Sequence, residues 1–255
     1  MAPIDLAYLF GLPPEEAMAY FKAKGYAISW DWQDVWERAH AKAFTVAKVM
    51  RMDILEDIRT AVDAALTDGV PFTQFAKELT PLLKSKGWWG QVEDEDGNFV
   101  QLGSPWRLRT IYDVNLQTAY MAGRYQAQME LAEGRPYWMY VAVMDSRTRP
   151  NHARLNGAVF RSDDPFWQSF YPPNGWRCRC RVRALSQFKL DRMGATVSTS
   201  EGKLSTEDRL VSKKTGQMQP VSVFSGQVGD RRVTMSPDVG WSYNPGQAYL
   251  EGVTP

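Results

Sequence analysis

Histidine and cysteine are scarce in this chain: its 255 residues hold two of each. Cys178 and Cys180 are separated by a single residue, so they can hardly bond each other without strain, and no disulfide framework is expected. They read as free thiols or metal ligands in a reducing compartment. With so few such residues there is no second Cys/His pair to complete a zinc knuckle. No His-Glu-x-x-His helix, phosphate-binding glycine loop or Ser/His/Asp triad appears either. An excess of one charge is also lacking. Thirty Lys and Arg stand against 29 Asp and Glu, a net charge of +1, which excludes a chain that condenses nucleic acid over its whole surface and leaves only local contact. No apolar run approaches a membrane span, so no membrane partner is expected. The opening MAPIDLAYLFGLPPEE has neither a basic start nor a long apolar stretch, and is not expected to be a secretory signal. Internal repeats are missing too.

What is present is an ordinary apolar fraction, 44%, enough for a core at this length. There are also ten tryptophans. Trp88, Trp89, Trp106, Trp176 and Trp241 adjoin Gly or Pro, which suggests platforms at turns and interfaces. The first third reads as helical. Pro13-Pro14-Glu15-Glu16 is a helix start, with the stop at Gly25. A second helix is expected from about Asp31 through WQDVWERAHAKAFTVAKV. A third carries Ile54, Ile58, Val62 and Leu66 four apart and ends at Gly69. Thr73 is a candidate cap for a fourth that ends at Gly87, with Pro81 starting or kinking its second half. Asp96-Gly97 between apolar residues suggests a hairpin. A long helix follows from about Pro105 to Leu131. Leu108, Ile111, Asn115, Ala119, Ala122, Gln126 and Met129 fall on one stripe, which puts two amides inward: either they bond neighbouring backbone, or Asn115 faces a site.

Residues 137–145 read as a strand, and 177–183 as a second. Alternation in the second puts Arg177, Arg179, Arg181 and Arg183 on one face and Cys178, Cys180 and Val182 on the other. A short helix is expected near Asp163–Phe170. From Ser186 the pattern turns polar and aperiodic, as in an extended or poorly ordered arm. Near its end, GWSYNPGQAY looks like an aromatic anchor, whose Trp241 and Tyr243 are candidates to dock in a partner's groove. The expected fold class is α+β. A helical region spans 1–90, a core of long helix on small sheet spans 103–185, and an arm spans 186–255.

The stretch from Asp145 to Arg181 concentrates the chemistry, and three readings compete for it. In the first, His152, Cys178 and Cys180 supply three soft zinc ligands, with Asp145, Asp164 or, at a catalytic site, a water as the fourth. The Cys-x-Cys spacing departs from a knuckle, so the expectation is no metal cofactor. In the second, His152 as general base with Arg149 and Asp145 beside it forms a metal-free nuclease or transferase site. The plainer alternative is that His152 stabilises the turn. In the third, the four arginines with Lys189 and Arg192 offer a basic stripe to phosphates or an acidic protein surface, unless they pair with Asp163, Asp164 and Asp191.

Three blocks carry a resemblance: DWQDVWERAHAKAFTVAKVMRMDILEDIR followed by GVPFTQFAKELTPLLKSKGWWG; RTIYDVNLQTAYMAGRY; and DSRTRPNHARLNGAVF with FYPPNGWRCRC. Together with GWSYNPG they make the chain similar to phage Mu F-like minor head proteins of the phage head morphogenesis family. The resemblance covers all but about 193–235. It carries the family signature onto Arg109, Asn115, Gly123, Asp145, Arg147, His152, Leu155, Gly157, Phe160, Pro173, Cys178, Arg179 and Cys180. It implies a structural, non-enzymatic virion component. Such a protein acts in head assembly within the host cytoplasm, beside the portal protein, the major capsid or scaffolding protein, and phage DNA. Some relatives place Cys-x-x-Cys where this chain has Arg149-Pro150-Asn151-His152. Their full zinc site lacks its first cysteine here, which implies a hydrogen-bonded version of the same knot.

Overall fold

A computed structural model describes residues 14–35, 37–94, 97–213 and 215–253. The expected Pro13 start and the Asp96 half of the hairpin turn lie outside the described residues. The chain divides into two compact units, the first ending at Tyr120 and the second beginning at Met121.

In the first unit, α1 (Pro14–Lys22) leads to β1 (Gly25–Tyr26). The single helix expected from Asp31 does not form. Its place is taken by a 3-10 turn at Trp32–Asp34, the short α2 (Arg38–Lys42) and β2 (Ala43–Phe44), which pairs with β1 in parallel. Glu37 at φ 40° and Lys48 at φ 67° interrupt any helical run, because the left-handed region is incompatible with continuing a right-handed helix. Helix α3 (Met52–Thr67) follows the expected periodicity, burying Ile54, Leu55, Ile58, Val62, Ala65 and Leu66. Gly69 lies beyond its end at φ 67°, as a glycine stop requires. Helix α4 (Phe72–Ser85) is capped at Pro71 rather than by Thr73, and runs through Pro81 without a break. Strands β3 (Gln91–Glu93) and β4 (Phe99–Gln101) form the expected antiparallel hairpin. Helix α5 (Pro105–Glu130) then carries the chain across the division. Within the first unit, Tyr112 packs edge-on against Phe72 and Phe75 and donates its hydroxyl to the Val70 carbonyl at 2.9 Å.

The second unit is built on a four-stranded sheet. Its strands are β5 (Tyr137–Val141), β6 (Val159–Arg161), β7 (Arg181–Leu185) and β8 (Val197–Ser198), in the order β7-β5-β6-β8. The first three pair antiparallel, and β8 joins β6 in parallel. Helix α6 (Pro150–Arg154) lies in the loop after β5, and α7 (Phe166–Phe170) follows β6, starting later than the Asp163 expected. The end of α5 lies on this sheet: Arg124 Nε and Gln128 Nε2 both donate to the Val182 carbonyl, at 2.9 and 3.0 Å, and Tyr171 donates to Gln128 Oε1 at 2.9 Å. Of the predicted stripe, Leu108, Ala119 and Ala122 are fully buried, whereas Met129 is exposed.

The described residues of the segment 186–253 do not form the loose arm expected there. Helix α8 (Gln187–Met193) is capped by Ser186 and stopped by Gly194 in the left-handed conformation. Strands β9 (Leu204–Ser212), β10 (Gln217–Val228) and β11 (Arg231–Met235) form an antiparallel sheet, and α9 (Pro245–Val253) follows. This segment supplies part of the core. Phe224 of β10 meets Phe166 at a ring-centroid distance of 5.2 Å and Phe160 at 5.6 Å, while Phe160 and Phe166 stack at 4.1 Å. Burial and edge-to-face packing of such rings are the main gain from closing the unit. Trp241 and Tyr243 are buried as well, so they are not available to a partner's groove. Trp241 packs edge-on against Trp176, with centroids 5.3 Å apart.

Candidate functional site

The loop between β5 and β6 is stitched down at both ends. Gly157 donates to the Tyr140 carbonyl at 2.9 Å and Tyr140 to the Ala158 carbonyl at 2.8 Å, while Ala142 N–H reaches Asn156 Oδ1 at 3.0 Å. Gly157 sits at φ 83°, where a side chain would be strained. With its ends fixed, the loop turns His152 inward. There it meets the segment that enters β7. Alternation over 178–182 buries Cys178, Cys180 and Val182 together, as the sequence pattern requires. His152 Nδ1 lies 3.6 Å from Cys178 Sγ and 3.6 Å from Cys180 Sγ, and all three residues are buried. His152 Nε2 has no hydrogen-bond partner among the described residues.

Two further layers hold this knot. Tyr140, fully buried, donates its hydroxyl to Asn174 Oδ1 at 2.9 Å, and it also bonds with Cys180. Arg149 reaches the Trp176 carbonyl at 3.0 Å and pairs with Asp238 at 2.9 Å. Asp238 N–H in turn donates to the Asn174 carbonyl at 2.9 Å. Tyr140, Asn174 and Asp238 carried no functional signal in the sequence. Asn174 belongs to the Pro-Pro-Asn-Gly turn, and nothing in the pattern marked Asp238, which comes from beyond β11.

The electrostatics are those of a closed network. The hydrogen bond to Cys180 holds the Cys178 thiol well below its ordinary pKa. Its partner Cys180 is pushed above the usual range by the same bond, because a second negative charge there would face the first. Burial raises the Tyr140 phenol well above its ordinary value. At the rim, Arg179 grips Asp145 with two bonds of 2.6 and 2.8 Å and holds its carboxyl far below the normal carboxylate range. Arg147 N–H adds a third bond to Asp145 at 3.0 Å.

Asp145, Arg149 and His152 therefore do not converge. Asp145 is clamped by Arg179, Arg149 is paired with Asp238, and His152 turns its Nδ1 to the two sulfurs beneath the surface. A general base for a polymer must reach the proton it removes, and a histidine with only 2% of its surface exposed does not reach a phosphodiester. Neither acid considered as a fourth zinc ligand joins the sulfurs: Asp145 is held at the rim, and Asp164 accepts from Ser200 and from Phe166 N–H. The arginine face is also broken up. Arg177 adopts φ 55° in a turn, the ladder begins only at Arg181, and Arg179 is committed to Asp145. Arg181 and Arg183 remain on one side of β7. The acids expected to neutralise the stripe pair elsewhere, Asp163 with Arg161 and Asp191 with Gln187.

Other signature positions serve packing. Leu155 and Phe160 are fully buried, Gly123 and Pro173 are buried, and the Pro172–Pro173 peptide is cis. On α5, Arg109 pairs with Asp113 at 2.8 Å and lies over the Phe72 ring. Asn115 Nδ2 donates to the Ile111 carbonyl at 2.9 Å.

A small sheet backed by a helix end, with a buried His–Cys–Cys knot beside it, defines a fold of mixed α+β class. The chain belongs to the family described as Phage Mu protein F like protein, whose pattern matches residues 56–183. It is 52% identical over 251 residues to a protein named Putative capsid assembly protein F of Escherichia phage Mu, an overlap of 96% of this chain and 57% of that one. It is 47% identical over 225 residues to the Mu-like prophage FluMu F protein of Haemophilus influenzae, covering 87% of this chain and 53% of the relative. The chain thus spans little more than half the length of these two relatives. No solved structure matches it.

Proposed function

We propose that this chain is a structural, non-enzymatic component of head assembly in a tailed phage or prophage. The observation that carries the reading is family membership together with 52% identity to a protein named for capsid assembly. The closed knot supports it, since its polar groups bond one another rather than face a substrate. In this reading the protein assembles in the host cytoplasm and stays with the virion. It sits near the portal, against major capsid or scaffolding subunits, with Arg181 and Arg183 within reach of packaged DNA. No described helix is long and apolar enough to cross a membrane.

The decisive experiment interrupts the reading frame in its native phage or prophage and counts heads by electron microscopy after induction. Loss of normal heads, restored in trans, is expected; normal head yield without the protein would overturn the assembly role. Cross-linking in wild-type heads tests the portal placement, and absence of portal peptides among the products refutes it. For DNA, Arg181→Ala/Arg183→Ala is expected to lower the log–log salt slope of binding by about 2. A slope equal to wild type, or no binding by wild type at low salt, removes DNA contact from the reading.

A further inference from the structure

We propose that His152, Cys178 and Cys180 form a three-ligand site for a zinc-type cation. Around tetrahedral zinc, with bonds of about 2.3 Å to sulfur and about 2.0–2.1 Å to nitrogen, an imidazole nitrogen and a thiolate sulfur stand roughly 3.6 Å apart. His152 Nδ1 is 3.6 Å from each of the two sulfurs, and the three ligand atoms all lie within 4.8 Å of one another. A ring nitrogen offers one lone pair or one N–H, so it bonds one sulfur at a time, whereas the equal distances set it against both. A cation between the three is served by all of them.

The donor set and its surroundings agree with that assignment. Two thiolates and an imidazole are soft ligands that select zinc over magnesium or calcium. All three side chains are buried, with exposures of 2%, 4% and 2%, so bulk water does not compete for the centre. Three protein ligands leave a fourth position for water. Arg149, which stands one helical turn before His152, is held away by Asp238 and the Trp176 carbonyl. The cation joins the α6 turn to the segment entering β7, groups 26 and 28 residues apart in sequence, and its binding releases to solvent whatever protons the thiol pair still holds. Its role is to cross-link the loop, independently of whatever the assembled head contacts.

The test uses the full chain, purified under reducing conditions without chelator and assayed for metal by mass spectrometry. Zinc is then removed and cobalt(II) titrated in. About one zinc per chain is expected, as are the thiolate charge-transfer absorption and strong visible bands of tetrahedral cobalt. Cys180→Ser is expected to lower the charge-transfer intensity by about half, and His152→Gln to weaken binding at least about tenfold. Circular dichroism identifies any variant that fails to fold, in which case the wild-type cobalt spectrum decides. A wild-type protein that holds no zinc and leaves cobalt in its octahedral aquo form overturns the proposal. So does zinc retained undiminished by a folded Cys178→Ser/Cys180→Ser variant.

Discussion

Replacing Tyr140 with Phe removes one oxygen from the layer beneath the knot, and its cost follows from what is left behind. The Tyr140 hydroxyl donates to Asn174 Oδ1 at 2.9 Å, and both residues are fully buried. The other polar end of Asn174 makes only a long bond, 3.5 Å, to the Tyr171 carbonyl. Without the hydroxyl, Oδ1 is a buried acceptor that has lost its donor, which costs about 1–3 kcal/mol. For a chain of this size that lowers the melting midpoint by roughly 2–12 °C. Asn174→Leu makes the converse error, leaving the hydroxyl with only its bond to Cys180. The double variant Tyr140→Phe/Asn174→Leu removes both partners of the 2.9 Å bond together, so its loss is expected to be smaller than the sum of the singles by about 1 kcal/mol or more. The assay is a double-mutant cycle from denaturant or thermal unfolding of the four proteins under reducing, metal-free conditions. Additive losses, or a Tyr140→Phe variant as stable as wild type, would show that the bond is not the tie between β5 and the 172–177 turn.

Three other perturbations test separate parts of the structure. Phe224→Ala is expected to cost about 3–5 kcal/mol, whereas Phe188→Ala, on a side chain 72% exposed, stays within roughly 0.5 kcal/mol; equal small losses in denaturant melts would return the C-terminal segment to a loose arm. Gly175→Ala sets a methyl against the Asp238 carboxyl, with Cγ 2.7 Å away, and is expected to break the Arg149–Asp238 pair and cost about 1–3 kcal/mol, while Gly134→Ala, with nothing within 4 Å, stays near neutral; comparable melting midpoints for the two would refute the close packing. Burial lowers the Lys24 pKa to about 7, so from about 7 up to the ordinary lysine value the unfolded chain binds the extra proton and stability rises with pH. Lys24→Met is therefore expected to stabilise most below pH 7, by up to ~5 kcal/mol for the full shift, and progressively less toward pH 10; a difference independent of pH in denaturant titrations would sink the assignment.

The parts of the fold that could be read from sequence are those whose burial is set by one element's own periodicity. Helix α3 could be read because Ile54, Ile58, Val62 and Leu66 all face one core and Gly69 is free to turn left-handed. The long helix α5 could be read for a similar reason, whereas the hairpin, with nearly all of its strand residues exposed, was legible from its Asp-Gly pair. The segment 31–48 misled because its apolar residues mimic a helical stripe, while the backbone is broken at Glu37 and Lys48 by conformations that composition does not advertise. The C-terminal sheet failed for the opposite reason. Strand β9 is exposed on both faces over most of its length, so it has no alternation to read, and its order comes from pairing with β10. The signal in β10 was there, in buried Val221 and Val223 with half-buried Ser222 between them, but it is short and was outweighed by polar neighbours.

The knot shows the same division between local pattern and distant partner. That Cys178 and Cys180 share an inward face follows from a period of two. That the face is met by His152 depends on a loop pinned through Asn156 and Gly157, and no spacing rule for metal knuckles covers a ligand 26 residues upstream on a five-residue helix. The Cys-x-Cys spacing argued against a metal because knuckle rules assume that neighbouring cysteines share one turn. In an extended run, residues two apart point the same way, and both sulfurs then face His152, brought by another element. The spacing that looked wrong for a knuckle is the spacing that sets two side chains on one face just before a strand, which is why the geometry and not the motif bears on the cation question.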